Sequence, residues 1–213
     1  MTEIVDPKIE AYAEECTSAP PEYLVSLAAE TSESMESPQM MVGPVEGKFL
    51  EMLVFATRAT RVLEIGTFTG YSALAMAAAL PPSGHIITCE LDPRHAEIAR
   101  RHIALSPFAD MIEVKEGPAL ETIAGLSGAF DLIFIDADKA SYREYFELSL
   151  DKVSGRGLIV ADNTLRGGGV IDRADKSKET AAIRSFNKGV VTDTRVTCVQ
   201  LTVRDGITII RRR

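Results

Sequence analysis

The sequence is poor in the residues that mark several classes of protein. It contains three cysteines and no tryptophan in 213 residues. The cysteines are scattered and odd in number, so neither a disulfide framework nor a Cys-x-x-Cys metal site is expected; they are Cys16, Cys89 and Cys198. No apolar run approaches the length of a membrane span, and the acidic first residues lack the apolar core of a secretion signal. We therefore expect a cytoplasmic protein without a membrane segment.

Positive charge is scarce as well. The formal net charge is −8, which disfavours binding to nucleic acid phosphates or to anionic membranes. A hydrophobic content of 46% and a charged content of 25% are ordinary for a globular chain, so disorder is not expected. We predict a single domain over residues 1–213. The three histidines have no metal-ligand spacing and are expected at the surface: His85, His95 and His102.

Residues 61–72, with the sequence RVLEIGTFTGYS, organise the rest of the chain. An apolar run ends in Gly66 and Gly70 and continues as an Ala/Leu/Met-rich segment, which predicts a strand, a tight turn and a helix. The glycines let a ligand approach the backbone, and the helix start presents unpaired N–H groups. The Gly-x-x-x-Gly spacing differs from the Gly-x-Gly-x-x-Gly that binds a pyrophosphate. A dinucleotide is therefore the weaker prediction.

Two acidic residues near this turn indicate the kind of ligand. Glu64 lies inside the predicted strand, where its burial requires a cation or N–H donors as partners. Glu90 ends the next apolar strand, about 20 residues beyond the turn, where an acidic residue binds ribose hydroxyls. A ligand with a ribose and a positive charge satisfies both residues. S-adenosylmethionine, with an ammonium, a sulfonium and no phosphate, is such a ligand.

Apolar strand-like segments alternate with helical segments from residue 61 to residue 163. The alternation predicts an α/β fold with a Rossmann-like, doubly wound, mostly parallel sheet of seven strands and helices on both faces. The last two strands are expected to form an antiparallel hairpin about Asp205-Gly206. Helices within residues 1–58 are expected to cover the cofactor and substrate side. Ligands of such a sheet bind at the carboxyl ends of its strands.

Oxygen-bearing side chains follow two of these predicted strands. Asp136 comes after one strand, and Asp162 with Asn163 comes after the next. Two carboxylates and an amide oxygen suit Mg²⁺ or another hard cation such as Ca²⁺ or Mn²⁺. Aspartates also end strands and cap helices for structural reasons, so the residue pattern alone leaves that alternative open.

Five motifs follow one another along the chain: EIGTFTGYS, CELD, EGPA, FIDADK and ADN. Together they resemble the cation-dependent small-molecule O-methyltransferases, the group that contains catechol and caffeoyl-CoA O-methyltransferases. The resemblance extends from about Met40 to the C-terminus, and five linked motifs are far more specific than one glycine turn. It implies a homodimer that methylates a hydroxyl of a small, catechol-like aromatic, with a divalent cation chelating the substrate oxygens.

The resemblance also assigns the site residues. It makes Lys139 the base or electrostatic partner that acts with Asp136 on the attacking hydroxyl, and it supports Asp136, Asp162 and Asn163 as metal ligands. A loop that closes over the cofactor in the family makes Glu46 a candidate contact. The residues predicted to bind the cofactor are Met40, Val42, Glu64, Gly66, Thr67, Ser72, Glu90, Leu91, Gly117, Pro118, Ala119, Asp136, Asp138 and Tyr145.

The chain departs from the resembled family where the substrate is chosen. Residues 165–169 lack the tryptophan common there, which puts an aromatic wall for a flat substrate in doubt. Four aromatic residues are candidates to replace it: Phe68, Tyr71, Tyr142 and Tyr145. The charged, glycine-rich segment 164–177 is either a substrate lid or a solvated connector. Catechols, hydroxycinnamoyl esters and hydroxylated intermediates of secondary metabolism are all open as substrates.

Two other kinds of function compete with this one. An NAD(P)-dependent oxidoreductase would share the fold and Glu90, but the glycine spacing is wrong and Glu64 would have no cationic partner. A non-catalytic protein that binds S-adenosylmethionine would also share the fold. It would have no need for the combination of Asp136, Lys139 and Asp162.

Overall fold

The computed structural model describes residues 4–213, and these form eight α-helices and seven β-strands. The helices are α1 (Pro7–Glu15), α2 (Glu22–Ser34), α3 (Pro44–Thr57), α4 (Tyr71–Ala77), α5 (Pro93–Ala104), α6 (Ala119–Gly125), α7 (Tyr142–Lys152) and α8 (Lys178–Thr192). The strands are β1 (Arg61–Ile65), β2 (His85–Glu90), β3 (Ile112–Glu116), β4 (Phe130–Ile135), β5 (Val153–Ala161), β6 (Val196–Leu201) and β7 (Ile207–Arg212). Within these residues, no helix combines the length and the apolar character needed to cross a bilayer.

All seven strands belong to one sheet in the order β3-β2-β1-β4-β5-β7-β6. Strands β1 to β5 are parallel, β7 is antiparallel to β5, and β6 is antiparallel to β7. The predicted Rossmann-like sheet with a C-terminal antiparallel hairpin is therefore confirmed. Because β1 lies between β2 and β4, the carboxyl ends of these strands meet at one edge of the sheet.

Apolar side chains form a packed layer on each face of the sheet. Successive residues of a strand point to opposite faces, so Val62 packs in one layer and Leu63 and Ile65 pack in the other. Helices α2 to α5 contribute to the first layer, and α6 to α8 contribute to the second. The helices thus cover both faces, as predicted.

The turn from β1 to α4 depends on two glycines. Gly66 has a φ of +101°, and a Cβ at this position would lie 1.9 Å from the backbone oxygen of Asp136. Gly70 has a φ of +96° and begins α4, where a Cβ would lie 3.3 Å from that of Ala99. Only glycine adopts these angles at no steric cost. Gly66 therefore lets the ends of β1 and β4 approach each other at the edge that carries the site.

Helix α2 packs beside this turn, whereas α1 lies on the surface. The side chains of Leu24, Leu27 and Thr31 in α2 are buried, and the Thr31 hydroxyl donates to the Thr69 hydroxyl at 2.9 Å. Helix α1 buries none of its residues. Its start is as expected for a capped helix, since the Asp6 side chain accepts a hydrogen bond from the backbone N–H of Lys8.

The environment of His102 differs from the prediction. His102 is buried in α5, and its Nε2 lies 2.8 Å from Oε2 of Glu30 in α2. The expectation of a surface position was therefore wrong. Ala96, Ala99 and Ile103 form the buried stripe of α5, and their helical spacing is the signal that places His102 next to that stripe.

Candidate functional site

The carboxyl ends of β1, β2, β4 and β5 border a cavity of about 1340 Å³. Residues before α3 and the loop after β5 contribute to its other walls. Every predicted site residue except Glu46 and Glu64 lines this cavity: Met40, Val42, Gly66, Thr67, Ser72, Glu90, Leu91, Gly117, Pro118, Ala119, Asp136, Asp138, Lys139, Tyr145, Asp162 and Asn163. Residues from distant parts of the sequence therefore converge on one site.

Glu64 does not line the cavity, because its side chain is fully buried. Its Oε2 accepts a hydrogen bond from the Thr88 hydroxyl at 2.5 Å, and that hydroxyl lies 2.5 Å from the hydroxyl of Thr67. Its Oε1 has no hydrogen-bond partner among the described residues. Burial raises the pKa of Glu64 to about 8, and the hydroxyls of Ser72 and Thr88 only partly offset this effect. One oxygen has thus found a donor, and the other is buried without one.

Glu90 is oriented at the end of β2 by two backbone N–H groups. The N–H of Phe68 donates to Oε2 at 2.6 Å, and the N–H of Asp92 donates to Oε1 at 2.9 Å. Phe68 has a φ of +50°, in the left-handed region that few residues with a side chain adopt. The Phe68 ring packs edge-on against His95, with ring centroids 4.8 Å apart, and His95 also lines the cavity. The expectation of a plain surface position for His95 missed this role in the wall.

Asp138 is fixed between β4 and α7 by two hydrogen bonds. The Tyr145 hydroxyl donates to its Oδ2 at 2.6 Å, and the Ser141 N–H donates to its Oδ1 at 3.1 Å. Asp138 therefore faces the cavity in one defined orientation. Three of the four candidate aromatic residues line the cavity: Phe68, Tyr71 and Tyr145.

The Lys139 side chain links the ends of β4 and β5. Its Nζ donates to Oδ1 of Asp136 at 3.0 Å, to Oδ1 of Asn163 at 2.6 Å and to the Tyr142 hydroxyl at 2.8 Å. The Tyr142 hydroxyl donates in turn to the backbone oxygen of Asp162 at 2.9 Å. Tyr142 is fully buried, so the candidate role in an aromatic wall was wrong. Burial, together with repulsion from Asp136 and Asp162, raises the pKa of Tyr142 well above its ordinary value, and the hydroxyl stays protonated.

Asp162 is buried beside a second carboxylate, that of Glu46 in the first turn of α3. Oδ1 of Asp162 accepts from the Asn163 N–H at 2.6 Å, and Oε2 of Glu46 accepts from Nη1 of Arg204 at 2.9 Å. Burial raises the pKa of both carboxyl groups; repulsion from Glu46 and Asp136 adds to the effect at Asp162, and Arg204 offsets part of it at Glu46. Sequence reasoning missed Arg204, which lies 158 residues after Glu46.

The oxygens of Asp136, Asp162 and Asn163 are the candidate ligands for a divalent cation. Within residues 4–213, no three His, Cys, Asp or Glu side chains converge as a metal-binding group. The set brought together here is two carboxylates and one amide, and Nζ of Lys139 contacts two of the three side chains. All-oxygen donors and excess negative charge fit a hard cation chemically, and the unpaired Oε1 of Glu46 adds to that fit. These residues could hold such a cation.

The loop after β5 is tied to α8 by Arg184. The Arg184 guanidinium donates to four backbone oxygens: those of Gly169 at 2.7 Å, Asp175 at 2.9 Å and Val170 at 3.1 Å, and that of Asp172. Arg166 and Gly167, near the start of the loop, line the cavity. The segment 164–177 thus has one end at the site and its middle held by hydrogen bonds, an arrangement compatible with a lid.

The comparisons with known proteins agree with this geometry. The family described as O-methyltransferase matches residues 14–213. A catechol O-methyltransferase from Mycobacterium tuberculosis is 41% identical over 167 residues, which cover 78% of this chain and 75% of that protein. Caffeoyl-CoA O-methyltransferase 2 from Petunia hybrida is 41% identical over 179 residues, covering 78% of this chain and 74% of that protein. The crystal structure of the O-methyltransferase from Bacillus cereus in complex with SAH has a TM-score of 0.89 at 31% identity over 97% of both chains.

The sheet order and the cavity at its carboxyl edge are those of Rossmann-like methyltransferases. The chain belongs to the O-methyltransferase family. The resemblance and the enzyme class inferred from the five motifs are therefore confirmed. Family membership also removes the oxidoreductase alternative.

Proposed function

We propose that the protein transfers a methyl group from S-adenosylmethionine to a hydroxyl of a small catechol-like aromatic, with a divalent cation, such as Mg²⁺, chelating two substrate oxygens. The observation that carries this proposal is the position of Lys139, whose Nζ contacts both Asp136 and Asn163 in the cavity wall. An amine between a carboxylate and an amide oxygen, at the edge where ligands bind, is placed for proton transfer or charge stabilisation. The catechol and caffeoyl-CoA O-methyltransferases among the relatives support the same reaction.

The cofactor-binding half of the cavity is formed by residues that end β1 and β2. Glu90 accepts hydrogen bonds from the ribose hydroxyls, and two backbone N–H groups already orient its two oxygens. Glu64 offers its unpaired Oε1 to the cationic amino acid end of the cofactor. Gly66 lines the cavity without a side chain and so admits the ligand close to the backbone. Asp138 also lines the cavity.

The chemistry needs two reactants held in line and one proton removed. The attacking hydroxyl lies beside Lys139, which takes the proton or stabilises the oxyanion. Tyr142, fully buried beneath it, positions the amine by accepting its hydrogen bond. Direct displacement requires no covalent enzyme intermediate. Most of the rate enhancement therefore comes from orienting the two reactants and from lowering the free energy of the substrate oxyanion.

The divalent cation is assigned to Asp136, Asp162 and Asn163. When bound, such a cation stabilises a substrate oxyanion and orients two vicinal oxygens. Its binding would require Lys139 to give up its direct hydrogen bonds to Asp136 and Asn163. The two carboxylates supply the negative charge, and the amide supplies a neutral oxygen.

The substrate and the assembly belong to the same proposal. The cavity wall combines Phe68, Tyr71 and Tyr145 with charged groups, which suits a hydroxylated aromatic. A homodimer in the cytoplasm is proposed as well. Helix α1 supports it only through two exposed apolar side chains, Ile9 at 61% and Tyr12 at 67% exposure.

The deciding experiment measures transfer of labelled methyl from S-adenosylmethionine to a panel of catechols and a caffeoyl ester, with Mg²⁺ and with EDTA. Activity that disappears with chelator and returns with metal is the expected result. Activity that is the same with EDTA as with Mg²⁺ would support methyl transfer but contradict a role for the cation. Tight binding of S-adenosylhomocysteine without transfer to any member of the panel would contradict the proposed catechol-like substrate.

A further inference from the structure

Arg166 lies in the cavity wall with part of its guanidinium unused. The residue lies near the start of the loop 164–177 and has a φ of +51°, a conformation that is costly for a residue with a side chain. Its Nη2 donates to the carboxylate of Glu179 in the first turn of α8. Its Nε is buried and has no hydrogen-bond partner among residues 4–213. A buried donor of a charged group is costly without an acceptor, and a ligand in the cavity would supply one.

Arg166 lies at the same end of the cavity as the proposed reacting group. Its backbone N–H donates to the backbone oxygen of Asn163 at 3.2 Å. Oδ1 of Asn163 accepts from Nζ of Lys139 at 2.6 Å. One residue therefore contacts both the proposed catalytic lysine and the arginine. A substrate whose hydroxyl meets Lys139 can present another substituent to the wall that contains Arg166.

A structural explanation is that the ion pair of Arg166 and Glu179 only holds the loop against α8. The loop has other anchors, however. Arg184 in α8 donates to four of its backbone oxygens, and the N–H of Gly167 donates to the Asp205 carboxylate. The Glu179 side chain is 57% exposed, and an exposed ion pair contributes little to stability. Holding the loop is therefore a weak reason for an arginine in the cavity wall.

We propose that Arg166 recognises an acidic group on the substrate, so that the protein prefers aromatic diols that carry a carboxylate or a phosphate over neutral catechols. This inference rests on the proposed function and narrows its substrate class. A guanidinium presents planar donors that bind a carboxylate or a phosphate through two parallel hydrogen bonds. Glu179 also lines the cavity and competes for the same guanidinium. The two partners of the ion pair therefore have opposite effects on an acidic substrate.

Negative charge elsewhere in the protein opposes such a substrate only weakly. The net charge of −8 acts through solvent, where salt screens charges beyond about 8 Å at physiological ionic strength. Within the cavity wall, the Asp136 carboxylate accepts from Lys139, and the Asp205 carboxylate accepts from the N–H of Gly167. Each of these carboxylates thus has a donor of its own. Glu179 is the carboxylate that competes directly for Arg166.

The test compares kcat/KM for protocatechuate, a catechol with a ring carboxylate, with kcat/KM for neutral catechol in the labelled assay. Arg166→Gln is expected to lower the ratio of the two values about 10- to 100-fold, the contribution of a hydrogen bond between charged groups. Glu179→Gln is expected to raise the ratio about two- to fivefold, because it removes the competing carboxylate of an exposed pair. Arg166→Lys should keep part of the preference, since it retains the charge without the planar donors.

Arg173→Gln is the charge-matched control. Arg173 is exposed in the same loop and does not line the cavity, so the ratio should stay within about twofold. Two further substrates distinguish the source of the acidic group: caffeate carries its carboxylate on a side chain, and caffeoyl-CoA carries phosphates. The acidic substrate whose kcat/KM falls most in Arg166→Gln identifies the group that this residue binds.

Opposite shifts of the ratio in Arg166→Gln and Glu179→Gln would support the inference, because loss of a structural ion pair would lower activity on neutral and acidic substrates alike. A ratio that Arg166→Gln leaves within twofold for all three acidic substrates, or that both variants shift in the same direction, would overturn it and leave the proposed function intact. A wild type that methylates none of the substrates would contradict the proposed function. Calorimetry of protocatechuate in the presence of S-adenosylhomocysteine then decides separately: no binding, or equal binding by wild type and Arg166→Gln, would overturn the inference as well.

Discussion

Nζ of Lys139 lies 2.6 Å from Oδ1 of Asn163, a residue 24 positions further along the chain. The contact joins the loop after β4 to the end of β5, and Asp136 and Tyr142 complete the coordination of the amine. A lysine with three fixed partners keeps one position in the cavity wall. The proposed catalytic role of Lys139 depends on this position, which places a positive charge beside the cavity where a substrate oxygen would lie.

Replacing Lys139 tests that role directly. We expect Lys139→Met to lower kcat by roughly 10²- to 10⁴-fold, the usual contribution of a positioned acid or base. Affinity for S-adenosylhomocysteine, measured by calorimetry, should stay within about twofold, since Glu64 and Glu90 are untouched. Lys115→Met is the control, because Lys115 pairs with Glu113 at the surface. A variant whose turnover falls less than threefold would contradict a catalytic role.

Tyr142 should act on the reaction only through Lys139. Tyr142→Phe leaves the buried backbone oxygen of Asp162 without its donor, so the free energy of unfolding should fall by about 1–2 kcal/mol. We expect kcat to fall about tenfold and its pH profile to move, because the amine loses one partner. Tyr145→Phe is the matched comparison: its hydroxyl donates to Asp138, so it should weaken cofactor binding instead. If Tyr142→Phe and Tyr145→Phe lowered kcat equally and weakened cofactor binding equally, the two tyrosines would not have the separate roles expected here.

Much of this arrangement could be predicted from the sequence because the relevant signals are local. The alternation of apolar strands and helices predicts a parallel sheet, and Asp136, Asp162 and Asn163 directly follow predicted strands. The carboxyl ends of parallel strands share one edge, so these residues had to lie near one another. Glu64 was recognised as buried from its position inside an apolar strand, and it is fully buried.

The contacts that were missed depend on packing between distant segments. The pairing of Arg204 with Glu46 requires the turn after β6 to reach α3, and no local pattern encodes that approach. His102 was expected at the surface because the histidines lack metal-ligand spacing, but it lies beside Ala99 and Ile103 of the buried stripe of α5 and pairs with Glu30 of α2. Tyr142 was one of four candidates for an aromatic wall, and its aromatic character alone does not say which face of a helix enters the core.

Gly66 should tolerate no side chain. In Gly66→Ala the new Cβ would meet the Asp136 backbone oxygen at 1.9 Å, and a φ of +101° is unfavourable for alanine. We expect the free energy of unfolding to fall by roughly 2 kcal/mol or more, together with loss of cofactor binding. Gly125→Ala is the control, because nothing lies within 4 Å of its Cβ position and its φ lies outside the left-handed region. Denaturant unfolding measures both, and a Gly66→Ala protein as stable as wild type would contradict the close approach.

Cofactor affinity should rise with pH because of Glu64. Burial raises the pKa of this carboxyl to about 8, so it carries a proton at pH 7, whereas a cationic ligand at Oε1 favours the ionised form. Binding must therefore release a proton, and affinity for S-adenosylhomocysteine should increase by up to about tenfold per pH unit below pH 8 and level off above it. The same shift acts on stability in the opposite direction: the raised pKa favours folding below the unfolded value of 4.5, and this contribution is lost as the pH rises through about 8.

Calorimetry at pH 7 in two buffers of different ionisation enthalpy counts the released proton. Glu64→Gln should bind more weakly and show no such release, and a wild type whose affinity is flat from pH 6 to pH 8 would place the cationic end of the cofactor elsewhere.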